Sequence, residues 1–307
     1  MTHTRALAAL FLIGIASPAS AFDGATASLD AGLGNLYAKE YVYNGRWKNS
    51  ELQWESKGVA MLRGSLNIDI TPDWRLRGEA RTGFKGNGHM VDYDWIYPYT
   101  TSNGDSDWSH RSVHSGTELD HYVAGNIEVT RSIFEDELDR IDFGIGARYT
   151  DVQWTAYGGS GIYSVGGFRD TAFTIPAGTK GITYRQQIPV VYATLANEHR
   201  MGDFTFNGAL QAGAMINAKA TDDHWLRDLT FVDKFSAAPS FAAKAGIDYN
   251  IAPRAAVYLE GAYEYTAFKR GDSTVRDTTN GSSTLYEDTA GGNFSAATIN
   301  IGIRGSF

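Results

Sequence analysis

The final ten residues, Thr298-Ile299-Asn300-Ile301-Gly302-Ile303-Arg304-Gly305-Ser306-Phe307, sort by parity. Ile299, Ile301, Ile303, Gly305 and Phe307 share one parity, and Thr298, Asn300, Gly302, Arg304 and Ser306 share the other. Successive side chains of a strand point to opposite faces, so this period of two defines a strand with one apolar and one polar face. The period recurs along the chain. Trp74, Leu76, Gly78 and Ala80 alternate with Arg75, Arg77, Glu79 and Arg81, and Val257, Leu259, Gly261, Tyr263 and Tyr265 with Tyr258, Glu260, Ala262 and Glu264. The stretches 204–211 and 241–249 repeat it. The polar parity is often charged.

A soluble sandwich would give a similar alternation, because it buries one face and solvates the other. Two features favour a membrane barrel instead. Tyr, Trp and Phe gather near the strand ends, as in the aromatic girdles of such barrels. Short turns also alternate with long polar segments. The turns fall at Thr71-Pro72-Asp73, around Glu135-Asp136-Glu137, at Arg200-Met201-Gly202-Asp203 and at Ala252-Pro253-Arg254. The long segments, about 38–57, 86–117, 156–183, 216–236 and 267–293, are rich in Gly, Asp, Ser, Thr and Asn. In lipid every backbone group must pair within the protein, so the sheet must close. Four turns separate five hairpins, which predicts an all-β, ten-stranded antiparallel transmembrane β-barrel with long extracellular loops. The terminal Phe307 resembles the C-terminal signature of bacterial outer-membrane barrels. Pro189 interrupts a strand-like run and leaves the register there open.

The stretch MTHTRALAALFLIGIASPASA sets Arg5 before an apolar run from Ala6 to Ile15 and ends on Ala19-Ser20-Ala21. That pattern predicts a cleaved export signal over residues 1–21 and a single barrel domain over 22–307. The run is shorter than the ~20 residues of a spanning helix. The net charge is −8, and loss of Arg5 makes it more negative still. Such a chain offers no basic stripe for nucleic acid. It has no cysteine, so an exported fold must rest on backbone pairing rather than disulfides.

Arg75, Arg77, Glu79, Arg81, Glu260 and Glu264 would then pair inside the lumen, which argues against a wide solute channel. Function is expected at the outer end. There, Met90-Val91-Asp92-Tyr93-Asp94 places Asp92 and Asp94 two residues apart, so an extended backbone aims both carboxylates to one side and Tyr93 to the other. Thr221-Asp222-Asp223-His224 places Asp222 and His224 in the same relation. Two adjacent carboxylates cannot both ionise cheaply, and an acid beside an imidazole fixes its tautomer. If the two segments face each other, a water held between His224 and the Asp92/Asp94 pair could be deprotonated and delivered to a carbonyl. The same four residues would also suit a divalent metal ion. On spacing alone, Asp-x-Asp and Asp-x-His are also ordinary solvated loop pairs. His-Glu-x-x-His, Gly-x-Ser-x-Gly and a reactive thiol are absent from the sequence.

Several separated motifs together carry a resemblance. Ser50-Glu51-Leu52-Gln53-Trp54, Met90-Val91-Asp92-x-Asp94-Trp95, Gly158-Gly159-Ser160-x-Ile162-Tyr163-Ser164, Gly167-Phe168-Arg169-Asp170 and Asp222-x-His224 occur in that order. From about residue 29 to Phe307 the chain resembles the omptin family of outer-membrane endopeptidases. The resemblance implies a ten-stranded barrel in the bacterial outer membrane, acting as a monomer with its site facing outside. It implies cleavage of peptides or proteins, near basic residues, by a water between an Asp–Asp and an Asp–His pair. Asp92, Asp94, Asp222 and His224 would be the catalytic set, with His224 the base and Asp222 its orienter.

Glu40 matches one acid of the pocket before the cut. Ala220 stands where the family carries a second acid, and His110 where it carries one for the residue after the cut. The resemblance implies no metal and no cofactor apart from bound lipopolysaccharide. Tyr149 and Asp151 match lipid-contacting positions, while Gln153 and Gln187 stand where the family has arginines. A non-enzymatic adhesin or structural barrel is the alternative reading, because some members of the family have adhesive roles.

Overall fold

The computed structural model describes residues 24–307, so the export signal expected over residues 1–21 lies outside the described residues. The strands are β1 (Ala25–Asn44), β2 (Trp47–Asp69), β3 (Trp74–Phe84), β4 (Asn87–Asp94), β5 (His110–Glu135), β6 (Asp139–Tyr163), β7 (Thr171–Met201), β8 (Phe204–His224), β9 (Leu229–Ala252), β10 (Ala255–Asp277) and β11 (Ser283–Ser306). Every pairing is antiparallel, and β1 pairs with both β2 and β11, which closes the sheet into a ring. β3 and β4 lie end to end between β2 and β5, so the ring has ten positions, as the alternation predicts. Pairing with β2 lapses after Phe84↔Ala60 and resumes, in the same register, at Asn87↔Lys57. Gly86 in that gap has φ 104°, and a Cβ there would come 3.1 Å from the Lys57 carbonyl oxygen, so the gap requires glycine.

All four predicted turns are present, at 70–73, 136–138, 202–203 and 253–254. The opposite end differs from the sequence reading. The five segments expected to be long loops are mostly strand, and only 45–46, 95–109, 164–170, 225–228 and 278–282 connect the hairpins there. Their loop-like composition has a physical cause. Beyond the bilayer the outward parity faces water, so it is polar, while the inward parity still packs. Ala38, Leu52, Trp54, Ala156 and Ile182 are all buried within these segments. At Pro189 the ladder with β8 shifts between Gln187 and Val190, which accommodates a residue with no N–H to donate.

The lower barrel is inside-out. Ile301 is 67% exposed on the outer wall while Asn300 is 4% exposed in the lumen. Leu33, Leu62, Ile127, Ile145, Leu195 and Leu210 extend the outer apolar band around the ring. Inside it, charges tie the strands together, several of them across the lumen. Arg81 donates to Glu264 at 2.6 Å, Lys244 to Glu79 at 2.6 Å, and Arg63 to Asp30 at 2.8 Å and also to Glu260. This network leaves a cavity of only about 140 Å³ in the lumen.

Above it sits the apolar core. Trp54 of β2 stacks on Tyr184 of β7, with ring centroids 5.5 Å apart, and lies 6.3 Å from Trp154 of β6. Trp154 Nε1 donates to Ser56 Oγ at 2.9 Å, back across to β2. This core forms the floor on which the candidate site rests.

The contrast between the two environments is testable. Ile301→Lys is expected to destabilise the barrel by about 2–4 kcal/mol, the scale for a cation on the lipid face. Leu285→Lys, at the tip of the last hairpin, should change stability by less than about 0.5 kcal/mol. Urea titration of protein folded into phosphatidylcholine vesicles reads both.

Candidate active site

Asp92 and Asp94 close strand β4. Asp92 lies opposite Leu52 of β2 and Ser112 of β5, and Asp94 lies opposite Ser50 and His110. Ser50 Oγ donates to Asp92 Oδ1 at 3.1 Å. Tyr93 faces the other way, its ring centroid 6.0 Å from Trp108 and 6.3 Å from Trp95. The parity read from the sequence therefore holds. Asp222 and His224 close strand β8 on the far side of the ring. His224 Nε2 lies 2.6 Å from Asp222 Oδ2, while Asp223 turns outward and accepts from Thr230 Oγ1 at 2.6 Å. With Nε2–H donating to Asp222, Nδ1 keeps the lone pair that a base needs.

The two strand ends bound one cleft of about 320 Å³, above the apolar band, which gathers Glu40, Asp92, Asp94, Asp222 and His224. Burial shapes its electrostatics. Burial holds Asp94 well above the usual carboxylate range, and the Asp92 charge beside it adds to the effect. Asp92 is raised by burial and eased back by His224 and Ser50. Burial also raises Glu40 strongly, helped by Asp222 and Asp233. Asp222 is likewise raised by burial, and a hydrogen bond from Glu40 opposes the rise. His224 is depressed by burial despite the acids around it, so its imidazole stays neutral. Burial thus disfavours the charged forms of Glu40 and Asp94, while Asp222 Oδ2 stays within hydrogen-bond reach of His224 Nε2. Tyr163, on the cleft wall, is pushed up to about 12 by burial and then by the two aspartates, so its phenol stays protonated. Among the described residues no three His, Asp or Glu side chains are grouped to hold a metal ion.

The remaining residues singled out from sequence do not line the cleft. Ala220 is 1% exposed, two residues below Asp222 on the same face. His110 packs edge-on against Tyr163, at 4.8 Å between ring centroids. Tyr149, Asp151, Gln153 and Gln187 lie on the β6–β7 wall, away from the cleft. Gln187 Nε2 donates to Tyr149 Oη at 2.9 Å, and Gln153 Nε2 to Asp120 at 2.7 Å. Asp151 receives Arg185 Nε at 2.8 Å and lies 2.9 Å from His121 Nε2. Arg185 was not anticipated. It brings a guanidinium two residues along the strand from Gln187. Asp233 was also missed. It is a buried acid on the inward parity of β9, and its signal is the β8–β9 register rather than any local motif.

A closed transmembrane barrel with an acid-lined, imidazole-bearing cleft at one rim is a narrow class, and similarity to known proteins narrows it further. Residues 23–307 match the Omptin family. The chain belongs to that family. It is 29% identical to the plasminogen activator of Yersinia pestis, covering 93% of this chain and 90% of that protein. It is also 29% identical to the outer membrane protease OmpP of Escherichia coli K12, covering 90% and 89%. The crystal structure of the outer membrane protease OmpT from Escherichia coli superposes with a TM-score of 0.88 at 26% identity, covering 93% of this chain and 97% of that one.

Asp233 gives a pH-dependent prediction. Burial pushes its carboxyl up to about 6 from 3.8. The folded form therefore holds a proton that the unfolded chain has released. The stability from this group is present in full below about pH 4 and is lost as pH rises through about 6. Asp233→Asn removes that loss. Between pH 4 and pH 7 the native chain should lose on the order of 2 kcal/mol relative to the Asp233→Asn variant. Parallel urea titrations at the two pH values measure the difference.

Proposed function

We propose that the chain is an outer-membrane endopeptidase whose cleft faces outside and cleaves peptides or proteins near basic residues. The observation that supports this most is the meeting of the Asp92/Asp94 and Asp222/His224 pairs, from opposite walls, in one water-accessible cleft. In this reading a water lies between the pairs. His224 Nδ1 takes one of its protons as the oxygen attacks the scissile carbonyl carbon, and the Asp92/Asp94 couple steadies the water and the developing oxyanion with its shared proton. Asp222 stabilises the imidazolium that forms. The imidazolium then returns its proton to the amide nitrogen as the C–N bond breaks, leaving a carboxylic acid and an amine. No protein nucleophile is involved, and the carboxylate couple that holds the water makes the chemistry aspartic in type. Glu40 would receive the cationic residue before the cut.

Lipopolysaccharide is the proposed activator, bound on the β6–β7 wall. Tyr149, Gln187 and the Asp151-held Arg185 face it there, and Arg185 supplies the cation that Gln153 and Gln187 lack.

The experiment uses the full chain folded into lipopolysaccharide micelles and a peptide library read by mass spectrometry. Asp92→Ala and His224→Ala should each lower kcat/KM by about 10²- to 10⁴-fold, the range of general-base catalysis. Both variants should keep the heat-modifiable gel mobility of a folded barrel. Full activity in both would leave a binding barrel with no catalytic role for the cleft. The acid limb of kcat/KM should fall with an apparent pKa below 6.5, because a protonated His224 cannot accept a proton and burial lowers its pKa.

A further inference from the structure

We propose that Asp233 selects the cationic residue before the cut, taking over, across the β8–β9 ladder, the place that Ala220 leaves without a charge. The proposal rests on the endopeptidase reading and assigns a specificity residue within it.

The register carries the argument. Ala220 lies directly opposite Asp233 on β9 and opposite Gln186 on β7, and Asp233 lies opposite Ser273 on β10. Directly opposed residues share a face. Gln186, Ala220, Asp233 and Ser273 therefore form one inward row across four strands, one step below the Asp222–His224 pair. The row is buried, with Asp233 only 4% exposed. Glu40 approaches it from β1. Its β11 partner is Gly292, where a Cβ would stand 3.5 Å from Gln186 Nε2. Asp233 also lies close enough to Glu40 and Asp222 for its charge to raise both carboxyls.

What this row lacks is a cation: its own donors are the Ser273 hydroxyl, which faces Asp233, and Gln186 Nε2, which is spent on Tyr184 Oη and the Asn293 carbonyl. Asp233 Oδ1, Asp222 Oδ1 and Gln186 Oε1 are each buried without a hydrogen-bond partner among the described residues. All three are acceptors. Lys219 and Lys234, the neighbours in sequence, are on the outward parity and exposed. A buried acceptor without a partner loses its hydration with no return. A ligand that corrects this must carry several donors and a positive charge on a stem long enough to reach one row below the catalytic pair. A lysine ammonium offers three donors and an arginine guanidinium five. Moving the acid from β8 to β9 keeps it on the same face and in the same row as Ala220. Ala220 itself carries only a methyl group and no charge.

The test compares four peptides that differ only in the residue before the cut, which is Arg, Lys, norleucine or Glu. Each is cleaved by the full chain folded into lipopolysaccharide micelles. The native chain is expected to favour Arg and Lys over norleucine. Asp233→Asn should lower kcat/KM for the Arg and Lys peptides roughly 10- to 100-fold, the worth of a charged hydrogen bond, and leave the norleucine peptide within about twofold. Asp233→Ser serves the same purpose should Asp233→Asn not reach folded gel mobility. Adding Ala220→Asp to Asp233→Asn returns the acid to β8 and should restore the preference, a rescue that a merely structural Asp233 would not give.

An unchanged Arg-to-norleucine ratio in the single variant overturns the proposal. So does an equal loss on all four peptides, or a double variant that does not regain selectivity. These failures are distinct from failure of the endopeptidase reading, which would appear as no cleavage by the native chain or as undiminished cleavage by His224→Ala.

Discussion

Everything in this barrel depends on backbone hydrogen bonds finding partners inside the chain, because lipid offers none. The pairing of β1 with β11, from Thr26↔Ser306 to Val42↔Ala290, satisfies that requirement and closes the ring. Closure then dictates what side chains can do. One parity is committed to lipid, and the other to a lumen shared by all ten positions. A residue on β4 and a residue on β8, distant in sequence, thereby face a common interior.

That interior is divided into tiers. Ion pairs fill the bilayer tier, where Arg81 and Lys244 each reach a carboxylate on a distant strand. Desolvating such charges is expensive, and removing one partner of a pair leaves the other stranded, so the network acts as a set of mutual dependencies. The Trp54–Tyr184–Trp154 stack above it is aromatic and fully buried. The cleft rests on that floor, which explains why its carboxyls sit so far above their usual range. They are partly roofed by water but floored by aromatic rings. The same burial that raises the acids lowers His224, so one environment shifts the carboxyls and the imidazole alike toward their uncharged forms.

The barrel was legible in the sequence because lipid enforces strict alternation, as in 298–307, and because turns such as Thr71-Pro72-Asp73 carry their own chemistry. The facing of Asp92 with Asp94, and of Asp222 with His224, was legible for the same reason. Three things were not. The hairpins extend past the bilayer as strand, since a water-facing outward parity such as that of 38–57 imitates a loop in composition. The third ring position is split at Lys85-Gly86, which local pattern does not announce. The surroundings of Asp233 and Arg185 escaped notice because they depend on which residue stands opposite or nearby on another strand, and that register is a property of the whole ring.

The cleft is walled by β-ladders, with the connecting segments confined to the hairpin tips. Ladders resist bending, so among the described residues the walls of this groove are fixed, and conformational adjustment falls largely to the guest. A compact protein would have to release a stretch of its own chain before that stretch could lie between the walls. Susceptibility would then be governed by local unfolding in the target as much as by its residues, and tails, linkers and short peptides would be the favoured prey.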